Sequence, residues 1–151
     1  MESGLNLRCR DLIESCEYTV RRAIDKYGVE AVVQLGDFFD QARPPAAVVD
    51  ACIRMIQRTG VPWHIMAGNH DIASYDAPTA IAPLGHVPGI SVYEKPELVM
   101  LGGVPWCFLP YTGPDAKAAL DRALFVWEQS LNGLGLGNVF GDQFLALPKV
   151  F

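Results

Sequence analysis

At 151 residues, half of them hydrophobic, the chain has the length for one domain with a buried core and lacks the length for two. Its formal charge of −5 gives no global attraction to nucleic acid or anionic membrane, so a nucleic-acid substrate would have to be held by a local basic strip or through metal ions. No apolar run approaches the roughly 18 residues of a membrane span, and residues 1–10 hold no secretion-type apolar segment, so the expected location is cytoplasmic with no membrane partner.

In chain order, Cys9, Leu12, Ile13, Cys16, Val20, Ala23, Ile24 and Tyr27 recur at helical spacing, and Gly28 is the natural stop. Ala31–Leu35 is a short apolar run with two valines, the pattern of a strand covered on both faces. Pro44-Pro45 opens a second helix whose stripe is Val48, Ala51, Cys52, Met55 and Ile56, ending near Gly60. Val61–Ala67 gives the next strand. Ile90–Tyr93, Glu97–Leu101 and Val104–Leu109 read as short strands, the last two joined by the hairpin turn Gly102-Gly103. Pro114–Leu131 is a third amphipathic helix, with Ala116, Ala119, Leu120, Ala123, Leu124 and Trp127 on one face. The remainder, residues 132–151, is an irregular Gly-rich apolar tail after a domain spanning residues 1–131.

The four cysteines, Cys9, Cys16, Cys52 and Cys107, form no C-x-x-C pair and no zinc spacing. Three fall on apolar helix faces and Cys107 in a strand, so reduced core thiols are expected rather than a disulfide or zinc site.

Two segments carry chemistry: Gly36-Asp37-Phe38-Phe39-Asp40 and Gly68-Asn69-His70-Asp71. Each follows an apolar run and so sits where a strand ends, the place where open α/β sheets position their ligands. Asp, Asn and His are hard oxygen and imidazole donors suited to magnesium, manganese, zinc or iron. If the two strands are parallel neighbours, their ends lie about 4.8 Å apart. The side-chain oxygens of Asp37 and Asn69 are then expected within about 6 Å, close enough to share a metal centre. Plainer roles stand beside these. Asp37 and Asp71 also suit loops and caps, Asp40 suits the entry to the Pro44-Pro45 helix, Arg43 suits an open surface, and His64 and His86 read as structural or solvated.

These residues resemble the calcineurin-like metallophosphoesterases, nearest to their DNA-repair exonuclease branch of the SbcD type and its phage-encoded relatives. The resemblance runs from Arg8 to Tyr111 and rests on Leu35–Asp40, on Gly68–Asp71 and, more weakly, on Leu109-Pro110-Tyr111. It implies a partial α/β sandwich of that family: a mainly parallel sheet with flanking helices and a β-hairpin. It further implies two divalent ions per complete site, manganese first, with magnesium, iron and zinc as alternatives. Asp37 would bridge the ions, as a carboxylate can at a separation of about 3.5–4 Å, and Asn69 would ligate the second. His70 would face the scissile phosphate, and Asp40 would fix its tautomer for acid catalysis. Many repair nucleases carry His at the position of Asp40, so this chain departs from that subset. Arg43 would touch substrate phosphate. The substrate implied is a phosphate ester, DNA among the candidates, with a second chain of a nuclease complex as partner.

The resemblance also implies an Asp-x-His on a strand before the first helix, and later Gly-His and Gly-His-x-His motifs. Among 151 residues with three histidines there is no Asp-x-His and no Gly-His-x-His, and the Gly85-His86 pair falls in a loop soon after the second motif, where His86 reads as structural or solvated. The chain is therefore expected to be the middle of a family member cut at both ends, by a truncated frame, a late start or a split gene. Its Ala31–Leu35 strand would then keep an apolar edge unpaired. Two classes stay open: a metal-dependent phosphodiesterase or exonuclease completed from elsewhere, and a catalytically silent remnant or binding module.

Overall fold

The computed structural model describes residues 5–74, 77–111 and 113–133. They fall into two compact units that divide between Lys95 and Pro96.

The first unit begins with α1 (Leu7–Tyr27). Asn6 caps it, its side-chain oxygen accepting from the amide of Cys9 at 2.8 Å. Gly28 ends it in the left-handed conformation (φ 65°), as the sequence predicts, and its N–H closes on the carbonyl of Ile24. Next come β1 (Val32–Gln34), α2 (Ala46–Thr59), β2 (Trp63–Met66) and β3 (Ile90–Tyr93). The three strands form one parallel sheet in the order β1-β2-β3, with Val32 opposite Trp63 and Trp63 opposite Ile90. The strands β1 and β2 are shorter than the apolar runs that announce them, because the flanking residues turn into the loops, whereas β3 has the bounds expected.

The helix α2 connects β1 to its parallel neighbour β2. Its buried residues Cys52, Met55 and Ile56 join Trp63, Ile65, Ile81 and Leu84 in a single core, against which Ile13, Cys16 and Val20 of α1 pack. Burial of each such large side chain stabilises by roughly 1.5–3 kcal/mol. The indole N–H of Trp63 donates to the Thr59 hydroxyl, which donates to the Ile56 carbonyl, so this buried polar chain is satisfied. The helices α1 and α2 are further tied by Glu17, which accepts from Arg58 and Arg21.

On its other side β1 has no strand partner among the described residues, and Leu35 just beyond it is 74% exposed.

The second unit holds the antiparallel hairpin of β4 (Glu97–Leu101) and β5 (Val104–Phe108), followed by α3 (Ala116–Gly133). Gly102 and Gly103 both take positive φ (58° and 78°), which is what a two-residue hairpin turn requires. On α3, Ala119 and Ala123 are buried while Leu120 and Leu124 are exposed. The buried stripe is thus narrower than the face predicted, set by two small residues one turn apart rather than by the leucines. The predicted tail lies outside the described residues from 134 onward.

All four cysteines are free thiols. Burial pushes Cys52 up to about 12, with the neighbouring Cys9 and Cys16 adding to the rise, and burial also raises Cys16 and Cys107. Such thiols are poor nucleophiles, in keeping with the core role expected. No helix among the described residues is long and apolar enough to cross a membrane.

Candidate active site

Because β1 and β2 are parallel neighbours, the loops that follow them leave the sheet at the same end. The first is shaped at once by Gln34, whose side-chain amide brackets Gly36, accepting from its N–H and donating to its carbonyl. Gly36 and then Asp37 adopt positive φ (99° and 53°). Asp37 is the one non-glycine residue with positive φ among those described, a backbone state that costs about 1 kcal/mol and gathers at functional sites. Phe39, two residues on, is buried in the core and anchors the loop behind the exposed Asp37.

The second loop passes directly against the first. The Asp37 carboxylate accepts from the backbone N–H of His70 at 2.9 Å. Gly68 lies so close to the Asp37 amide and carboxylate that a Cβ at position 68 would overlap both. Asp37 and Asn69, from sequence motifs far apart in the chain, are thus brought to one rim, and both are exposed.

His70 and Asp40 also meet there: ring Nδ1 and carboxylate Oδ1 are 3.8 Å apart, within ion-pair range but longer than a hydrogen bond. Asp40 does not cap α2. The capping position is Pro45, with no side-chain bond to the helix end. Arg43 is exposed, free of hydrogen bonds and ion pairs to the other described residues.

The other histidines lie elsewhere. His64 is buried in β2, its Nδ1 2.7 Å from the Tyr93 hydroxyl, and burial lowers its pKa. His86 is exposed at the end of a short 3-10 helix, Ala82–His86.

Sequence reasoning missed the role of Asp71, read there as a loop or cap residue. Its side chain is completely buried and accepts three backbone N–H groups: Gly68 (2.9 Å) in its own loop, and Phe39 (3.0 Å) and Phe38 (3.2 Å) in the other. No local spacing could have revealed this, since backbone amides are the partners and two of them lie more than thirty residues upstream.

A strained aspartate thus lies against a Gly-Asn-His-Asp turn at the ends of adjacent parallel strands. The family model of calcineurin-like phosphoesterases matches residues 11–140. The chain belongs to the calcineurin-like phosphoesterase family. Among its relatives, the SbcD component of the nuclease SbcCD of Escherichia coli strain K12 is 27% identical over 119 residues, and its counterpart in strain O157:H7 matches equally. The match covers 70% of this chain and 27% of the relative, so the chain spans about a quarter of the length of these curated proteins.

The family uses divalent metals. Here the donor chemistry of Asp37 and Asn69 suits such an ion, but the described residues do not by themselves fit a two-ion centre. Among them no three His, Cys, Asp or Glu side chains converge in a way that could hold a metal ion. One anionic and one neutral donor fall short of the four to six that each ion requires.

Proposed function

We propose that this chain carries part of a metal-dependent phosphodiesterase site of the nuclease type. The carrying observation is the contact between the two motif loops, with Asp37 accepting from the His70 amide and Asp71 accepting from both loops. In this reading Asp37 and Asn69 are the chain's contribution to the ligand set of a divalent ion, manganese by preference. His70 is the proton donor to the leaving oxygen, with Asp40 fixing its ring. The 3.8 Å separation supports the pairing and leaves a short closure to make when substrate binds. Arg43 is free to meet a substrate phosphate. Likeness to a component of a nuclease favours a phosphodiester substrate such as DNA, and a partner chain that supplies the remaining donors.

One observation favours a second reading. The described residues hold too few donors for an ion pair, so the chain would be a catalytically silent binding module that keeps the family's fold.

Manganese-dependent hydrolysis of bis(p-nitrophenyl) phosphate, compared between the chain and Asp37→Asn, separates the two. Turnover at any measurable level that is lost in the variant, or manganese-dependent shifts of the Asp37 and Asn69 NMR signals that are lost in it, supports the partial enzyme site. Absence of turnover, together with no effect of manganese on the NMR signals of Asp37 and Asn69, leaves the binding module.

A further inference from the structure

We infer that Asp71 is the positioning residue of this site, a buried carboxylate that holds Asp37 in its left-handed conformation and fixes the two loops against each other. A fully buried carboxylate is costly unless its oxygens are well satisfied. Among the described residues no Lys or Arg pairs with Asp71; three backbone amides take that role. Hydrogen bonds to an ionised acceptor are about twice as strong as neutral ones.

The choice of amides matters more than their number. The N–H of Phe38 belongs to the peptide that leaves Asp37, so aiming it at Asp71 fixes the rotation of Asp37 about its Cα–C bond. The peptide that enters Asp37 is fixed from the other side, where Gln34 grips the Gly36 carbonyl. Asp37 is therefore held in its strained state at both ends. The third amide, that of Gly68, ties the same carboxylate to the residue that touches Asp37 and precedes Asn69. Asp71 is anchored in turn through its own carbonyl, which accepts from the Ala80 amide at 2.7 Å beside the core residue Ile81. What this arrangement delivers is the His70 N–H to Asp37 carboxylate bond, in which Asp71 takes no direct part.

The chemical consequence rests on the reading of Asp37 as a ligand. The geometric claim does not, so its test uses neither metal nor substrate, and failure of one is distinguishable from failure of the other. Amide hydrogen exchange is measured by NMR on the isotope-labelled chain, on Asp71→Asn and on Ile56→Val, a core variant on α2, outside the two loops. Asp71→Asn should speed exchange at the His70 amide by about tenfold or more relative to Ile65 in the middle of β2, as loss of charge-assisted bonds predicts. Ile56→Val should not change the ratio of the two. An Asp71→Asn variant in which His70 and Ile65 change by the same factor, or in which His70 does not change, overturns the proposal. Should that variant fail to fold, the wild-type chain decides through exchange in low concentrations of urea. The amides of Phe38, Phe39, Gly68 and His70 should open as one unit with a single denaturant dependence, and independent opening overturns the proposal.

Discussion

The amide nitrogen and carboxylate of Asp37 occupy the space that any side chain at position 68 would need. A Cβ there would overlap the amide nitrogen and the carboxylate of Asp37, neither of which can swing aside without breaking the loop. The glycine is required for close approach, because its own φ is not positive.

Gly68→Ala is accordingly expected to destabilise the chain by about 2 kcal/mol, the scale of overpacking in a site that cannot relax. It should also shift the amide resonances of Asp37 and His70. Gly85→Ala is the control: its Cβ would meet only the Val92 side chain at ordinary contact distance, and φ is not positive there. Urea denaturation midpoints of the two variants give the comparison. Equal losses would mean that the Gly68 contact is softer than its geometry indicates.

Much of this architecture is legible in the sequence because it is written in local chemistry. Gly28 and Gly60 stop their helices where the apolar stripes end, both in the left-handed conformation. The hairpin turn is announced by Gly102-Gly103, and the first two parallel strands by their apolar runs. The meeting of the Asp37 and Asn69 loops follows from one inference, that strands joined by a helix lie parallel and adjacent. Other features are not legible, for a common reason. Asp71 bonds to backbone amides, which carry no residue signature, and Glu17 meets Arg58 only after two helices have packed. The exposure of Leu120 and Leu124 depends on what surrounds α3, and helical periodicity records a face without saying how much of it is covered.

The Glu17–Arg58 pair makes the acid stability of the first unit testable. Arg58 donates to Glu17 through Nε and Nη2, the shortest contact being 2.6 Å, and Arg21 adds a second cation at 3.1 Å. Chiefly through the Arg58 hydrogen bond, the carboxyl is held below its ordinary value of 4.5. The unfolded chain therefore takes up this proton first as the solution is acidified. The pair's contribution is complete above about pH 4.5 and is lost as pH falls through the lower folded value. Arg58 is half exposed, so the contribution should stay under about 1 kcal/mol. Thermal melts from pH 6 to about pH 3 should show a shallower acid decline for Glu17→Gln than for wild type, with the two curves converging at the acid end. Parallel curves would show that the pair does not persist in solution.

The number of donors at the rim sets the expected metal affinity. Asp37 supplies one charge and Asn69 none, and the Asp37 carboxylate already accepts from the His70 amide. Water fills the rest of an ion's shell without holding it in place. Manganese is therefore expected to bind the 151-residue chain no tighter than about millimolar, the weak end for carboxylate sites, with slow or undetectable phosphodiester hydrolysis. Asp37→Asn should weaken that binding further while leaving stability within about 0.5 kcal/mol, since asparagine tolerates the left-handed backbone and keeps an acceptor oxygen. Calorimetric titration of both proteins, with thermal melts alongside, measures the two effects separately. Micromolar binding of two ions with turnover that depends on Asp37 would contradict the donor count. It would mean that donors from a second chain, or from outside the described residues, complete the centre around the same aspartate.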